Sequence, residues 1–107
     1  MKRIFIETQE FSRKWKSLGM SDYDLRELQN YLSEKPDAGK VITGTVFIRK
    51  VRWARNKGKS GGIRSLYIDF TKDAKLYFIT VFGKNEKDNI SDHEKNLIKK
   101  FVQTLKK

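Results

Sequence analysis

The chain contains no cysteine, one proline and one histidine. The absence of cysteine excludes disulfide bridges and thiolate metal sites, and it fits a reducing cytoplasm. Long apolar runs are missing as well. The opening MKRIFIETQEF has a basic start, but only Ile4, Phe5 and Ile6 precede Glu7. That is too short and too soon polar for a signal peptide or a membrane span, so an N-terminal strand is expected. No amphipathic basic helix with a broad apolar face stands out, which argues against membrane binding. The lone histidine, His93, falls in the first turn of a helical pattern and is read as a surface residue, because general acid–base work needs partners. Zinc-ligand spacings are absent. Asp69, Asp73, Glu86 and Asp88 are scattered acids of the kind that usually face solvent, so neither a metal nor another cofactor is expected. GKSGG lacks the full G-x-x-x-x-G-K-[ST] pattern and is not a phosphate loop.

Acidic residues are scarce relative to basic ones: 13 Asp and Glu face 24 Lys and Arg, for a net charge of +11 and a pI near 10. Such an excess points to a polyanionic partner. Its distribution is uneven. Residues 49–64, RKVRWARNKGKSGGIR, hold Arg49, Lys50, Arg52, Arg55, Lys57, Lys59 and Arg64 with no acid, so 7 of the net charges sit there and 4 (11 minus 7) on all the rest.

The 107 residues suit one domain, 1–107. Ile4–Ile6 read as a short strand. Phe11, Trp15 and Leu18 recur at helical spacing from Thr8, and Gly19 is a plausible stop. Ser21 with Asp24 makes a capping box before Leu25, Leu28 and Leu32, and Pro36 ends that second helix. Asp37–Thr45 is expected to be a loop. Strands follow at Thr45–Trp53, Ile63–Phe70 and Lys75–Gly83, the last two joined by TKDA at hairpin length. Leu76–Phe82 is apolar on both faces, as a covered central strand would be. Ser91 and Glu94 form a second capping box, and Leu97, Ile98, Phe101, Val102 and Leu105 mark one face of a C-terminal helix. The order is βααβββα, an α+β domain with one small, mainly antiparallel sheet packed by helices. The segment Arg55–Gly62, rich in glycine and like charges, is expected to be mobile.

A period of two places Lys50 and Arg52 on one strand face, and Arg64 opens the next strand. Lys84 ends the last strand. Pairing of these strands would bring the four cations toward one end of the sheet, but strand order and register are not fixed by the sequence. Trp53 interleaves the cations and is a candidate for stacking on a base, and Arg49, Arg55, Lys57 and Lys59 are candidates for phosphate contact. Phe11, Trp15, Tyr23 and Tyr31 read as helix-face packing. Tyr67 points away from the face of Leu66 and Ile68, toward a covering helix.

The KVR strand, the Gly/Lys loop, GGIRSLY, the hairpin partner LYFITVFGKNEKDNIS and the C-terminal helix together resemble RelE/HigB toxins of bacterial type II toxin–antitoxin systems, specifically their HigB-like branch. The likeness spans nearly the whole chain, and GKSGGIRSLY and GKNEKDN-I-S are its most specific parts. It implies a microbial RNase-type fold acting in the cytoplasm, which enters the ribosomal A site and cleaves the bound mRNA. It also implies a cognate, HigA-like antitoxin and operator DNA binding only through the antitoxin complex. Carried onto matching positions, it implicates Lys50, Arg52, Arg64 and Lys84 in catalysis. The sequence departs from many members at Asn85, where they carry arginine, and lacks the tyrosine or histidine often found near the start of the last helix. The implied reaction is attack of a 2′-hydroxyl on the adjacent phosphate. Arg52 and Arg64 suit the charged phosphorane. An ordinary lysine is almost wholly protonated at neutral pH, so Lys50 or Lys84 serves as base only where neighbouring cations depress it and otherwise acts through charge. A third option is that ribosomal RNA positions the reactive groups. A non-catalytic RNA- or ribosome-binding module is the alternative that the composition also allows.

Overall fold

The computed structural model describes residues 3–45, 47–53, 62–84, 86 and 89–105, the side chain of Thr71 excepted. The expected mobility of 55–62 therefore falls, Gly62 apart, outside the described residues. The elements are β1 (Ile4–Glu7), α1 (Gln9–Ser17), α2 (Asp22–Glu34), β2 (Lys40–Val41), β3 (Arg49–Trp53), β4 (Ile63–Phe70), a 3-10 turn (Thr71–Asp73), β5 (Lys75–Gly83) and α3 (Asp92–Leu105). One five-stranded sheet runs in the order β1-β5-β4-β3-β2. β1 lies parallel to β5, and every other pairing is antiparallel. The α+β class and mainly antiparallel sheet agree with the expectation, with β2 as an addition.

That addition has a local cause. Ile42 donates its N–H to the Ile48 carbonyl at 2.8 Å, and Thr45 donates to Ile42 at 3.0 Å. Gly44 adopts φ +85°, a left-handed conformation that glycine enters without steric cost. The chain thus reverses within the expected loop. The strand forecast to begin at Thr45 begins instead at Arg49, with Lys40–Val41 as its hairpin partner.

Two of the helices start at the capping boxes offered by the sequence, and α1 starts at Thr8, where its helical spacing begins. The Thr8 hydroxyl accepts from the Phe11 N–H at 3.1 Å. Ser21 and Asp24 form a reciprocal capping box. Ser91 and Glu94 do the same before α3. Each such cap satisfies N–H groups that the first helical turn leaves free, worth about 1 kcal/mol.

Alternation along the strands gives the sheet two buried faces. On one, Val51, Ile63, Tyr67, Leu76, Phe78 and Val81 pack against Phe11 and Trp15 of α1 and Leu25, Leu28 and Leu32 of α2. On the other, Leu66, Ile68, Ile79 and Phe82 pack against Ile98 and Val102 of α3 and against Ile90. The result is three layers, with β5 covered on both sides. An aromatic column fixes α1 to the sheet: the Phe5 and Phe78 rings are 5.8 Å apart, Phe78 and Phe11 4.7 Å, Phe11 and Trp15 5.4 Å. The buried Trp15 indole donates to the Ser21 carbonyl at 3.0 Å, so the ring enters the core without an orphan donor.

At the edge, Arg3 grips Asp69 with two bonds, Nε to Oδ1 at 2.7 Å and Nη2 to Oδ2 at 3.0 Å. Those bonds, reinforced by the carboxylate charge, raise the Arg3 pKa against the opposing effect of burial. No helix among the described residues is long and apolar enough to cross a membrane.

Candidate nucleic-acid cleavage site

The register decides which cations meet. Arg52 of β3 pairs directly with Arg64 of β4, and Arg64 pairs in turn with Phe82 of β5. Lys50 lies opposite Leu66. Because Leu66 and Phe82 belong to the α3-side core, Lys50, Arg52 and Arg64 share that face. Lys84 follows two residues after Phe82, and its N–H donates to the Gly62 carbonyl at 3.3 Å. Of the four cations singled out from the sequence, Arg52, Arg64 and Lys84 thus lie where β3 and β5 end and β4 begins, and Lys50 lies one cross-strand pair further along the same face.

They differ in exposure. Arg52 and Lys84 are exposed and Lys50 is half-buried, whereas Arg64 retains only 5 % of its accessible surface. A guanidinium keeps its charge at any ordinary pH, even in the interior. Like charges on directly opposed strand residues destabilise a sheet. The register nonetheless sets two guanidinium-bearing residues directly opposite one another, a pairing whose charge suits an oxyanion.

The remaining cations divide. Arg49 lies on the α2 side, where its Nη1 donates to the carbonyls of Gly39 at 2.6 Å and Asp37 at 3.2 Å. Trp53 shares that side, its ring 5.3 Å from Tyr31 and tilted by 45°. Both were candidates for RNA contact; the strand alternation turns them away from the cation row and into the scaffold. Arg55, Lys57, Lys59 and Asn85 lie outside the described residues. His93 is exposed on α3, as expected for a surface residue. Among the described residues no group of three or more acidic or histidine side chains is placed to hold a metal ion.

Two supports of the site escaped sequence reasoning. The first is a clamp at the α2–β2 junction. The buried Tyr67 hydroxyl donates to the Pro36 carbonyl at 2.6 Å and accepts from the Gly39 N–H at 2.9 Å. A Cβ on Gly39 would stand 2.8 Å from Tyr67 Cε1 and 3.0 Å from the Lys50 carbonyl oxygen. Only glycine fits there, and the clamp thereby seats β2, the edge strand whose Lys40 pairs with Lys50. The second is a bulge in β5. Leu66 pairs with Thr80 and Tyr67 with Phe78, leaving Ile79 as an extra residue. The Thr8 hydroxyl donates to its carbonyl at 2.7 Å while capping α1. Such bulges re-aim a strand near functional sites.

A family model described as the RelE toxin of the RelE/RelB toxin–antitoxin system matches residues 2–107. The chain belongs to the RelE toxin family. Solved structures agree in fold. A mutant of the E. coli toxin RelE in the free state aligns with a TM-score of 0.58 at 20% identity, covering 80% of this chain and 86% of that one. RelE in the intact E. coli RelBE toxin–antitoxin complex aligns with a TM-score of 0.58 at 19% identity, covering 79% and 99%. The E. coli RelE mutant bound to a peptide of the antitoxin RelB aligns with a TM-score of 0.54 at 18% identity, covering 85% and 100%. The molecule is thus a RelE-family toxin of a toxin–antitoxin system.

Proposed function

We propose that this RelE-family toxin is a metal-independent, ribosome-dependent endoribonuclease that works in the cytoplasm and cleaves mRNA in the ribosomal A site. The observation that carries the reading is the cross-strand pair of Arg52 and the buried Arg64. Attack of a 2′-hydroxyl on the adjacent phosphate builds a phosphorane with more negative charge than the starting diester. Preorganised cations then stabilise the transition state more than the ground state. Arg52 and Arg64 fill that role, because planar guanidinium groups can grip two phosphate oxygens in parallel. Lys84 and Lys50 add charge beside the leaving and attacking oxygens. The 2′-hydroxyl gives its proton to one of the lysines or to the ribosomal surroundings, the bond from phosphorus to the 5′ oxygen breaks to leave a 2′,3′-cyclic phosphate, and the 5′ oxygen departs as a hydroxyl with a proton from those same sources.

A cognate antitoxin, HigA-like in kind, silences the toxin, and operator DNA is contacted only through their complex. An acidic antitoxin segment over the cation row would speed encounter by complementary charge, with apolar anchors supplying lasting affinity. The test is expression in a translation extract followed by primer extension on the message. New 5′ ends within the reading frame that vanish when the ribosome is omitted support the nuclease. Intact message on stalled ribosomes supports a binding module instead.

A further inference from the structure

Glu86 reads from the sequence as one more scattered acid, yet it is tied into the end of the sheet that bears the cations. Its carboxylate Oε1 accepts from the Gly83 N–H at 2.9 Å, and its own N–H donates to the Gly83 carbonyl at 3.0 Å. Gly83 pairs with Ile63 in the sheet, and Lys84 bonds through its N–H to Gly62. Lys84 therefore stands between two anchored points, the last pair of the β4–β5 ladder and the Glu86 closure. Glu86 itself is exposed and contributes to neither core. An exposed carboxylate spent on the Gly83 N–H at the rim of a cationic site has little value for the core, but it restricts where the adjoining Lys84 can go.

We propose that Glu86 is a positioning residue: its bond to Gly83 holds Lys84 in line with Arg52 and Arg64. This rests on the reading of those cations as the cleavage site. The bond needs an acceptor oxygen rather than a charge, so a glutamine should replace the glutamate and an alanine should not. Misplacement of a reacting group by about 1 Å can lower a rate by up to about 10²-fold without weakening substrate binding.

The experiment measures kcat and KM for message-loaded ribosomes with the full chain carrying Glu86→Ala, Glu86→Gln, Lys84→Ala or both alanines, together with amide exchange at Gly83. The expected result has four parts. Glu86→Ala lowers kcat, leaves KM unchanged and speeds exchange at Gly83. Glu86→Gln restores both. Lys84→Ala lowers kcat. The double variant is no slower than Lys84→Ala, because a positioning effect has nothing left to position. Slow Gly83 exchange in Glu86→Ala overturns the proposal, as do wild-type kcat in that variant or additive losses in the double variant. If Lys84→Ala itself cleaves at the wild-type rate, the assignment of Lys84 to the site fails, and the role of Glu86 fails with it.

Discussion

The Tyr67 hydroxyl and the Gly39 backbone N–H meet at 2.9 Å beneath the loop that enters β2, with Tyr67 fully buried. Neither partner can change alone. Tyr67→Phe leaves the Gly39 donor and the Pro36 carbonyl without this partner, and an unsatisfied buried group costs about 1–3 kcal/mol. Gly39→Ala forces a methyl group against a ring that the core prevents from moving, and overpacking costs about 1–3 kcal/mol. Denaturant unfolding of both variants should show lower midpoints with an unchanged slope.

The same tyrosine makes stability depend on alkaline pH. Burial pushes the Tyr67 phenol above its ordinary value of 10, with the Gly39 bond and the Arg49 charge opposing that rise. The folded state holds the proton more tightly than the unfolded chain does. Its contribution is therefore complete below the unfolded value and is lost as pH rises through the folded one. Over that alkaline window the wild type should lose stability more steeply than Tyr67→Phe. Parallel curves for the two proteins would remove Tyr67 from the account.

Thr8 joins two elements through one hydroxyl, donating to Ile79 in the bulge and accepting from Phe11 at the start of α1. Thr8→Val preserves shape and deletes both bonds. A lost cap costs about 1 kcal/mol, and the Ile79 carbonyl loses its donor as well. Thermal unfolding should fall further than in Ser12→Ala, where the lost bond joins exposed side chains.

Much of the fold was legible because it is written in local chemistry. Thr8, Ser21 and Ser91 stand at helix starts for reasons that apply to any chain, and the apolar double face of Leu76–Phe82 marked the central strand. Alternation also placed Lys50 and Arg52 together. The same alternation places Arg49 and Trp53 on the opposite face, a consequence that counting cations along the segment conceals. What the sequence could not show is register. The pairing of Arg52 with Arg64 is a long-range relation across a loop, and the Ile79 bulge shifts the far half of β5 by one residue. Gly39 appeared as an ordinary loop glycine because nothing local reveals that Tyr67 lies over it. Glu86 read as one more scattered acid for the same reason.

Arg52 offers a test in which stability and activity part. It is exposed and stands opposite another arginine, so Arg52→Gln removes a repulsion worth a few tenths of a kcal/mol, by the scale of cross-strand pairs of about 0.2–1 kcal/mol. Melting temperature should hold or rise slightly while ribosome-dependent cleavage falls. A variant that melts earlier yet cleaves normally would mean that Arg52 serves the scaffold.

The most direct measurement concerns Arg64. Purified Arg64→Ala, with its fold checked by circular dichroism, is added to translating ribosomes, and the rate at which new message ends appear is compared with wild type. Loss of one preorganised stabiliser of transition-state charge typically costs about 10²–10³ in rate. A drop of that size is expected, with ribosome binding nearly intact and only partial recovery in Arg64→Lys, whose ammonium cannot grip two oxygens in parallel. Cleavage at the wild-type rate by a folded Arg64→Ala protein would contradict the site.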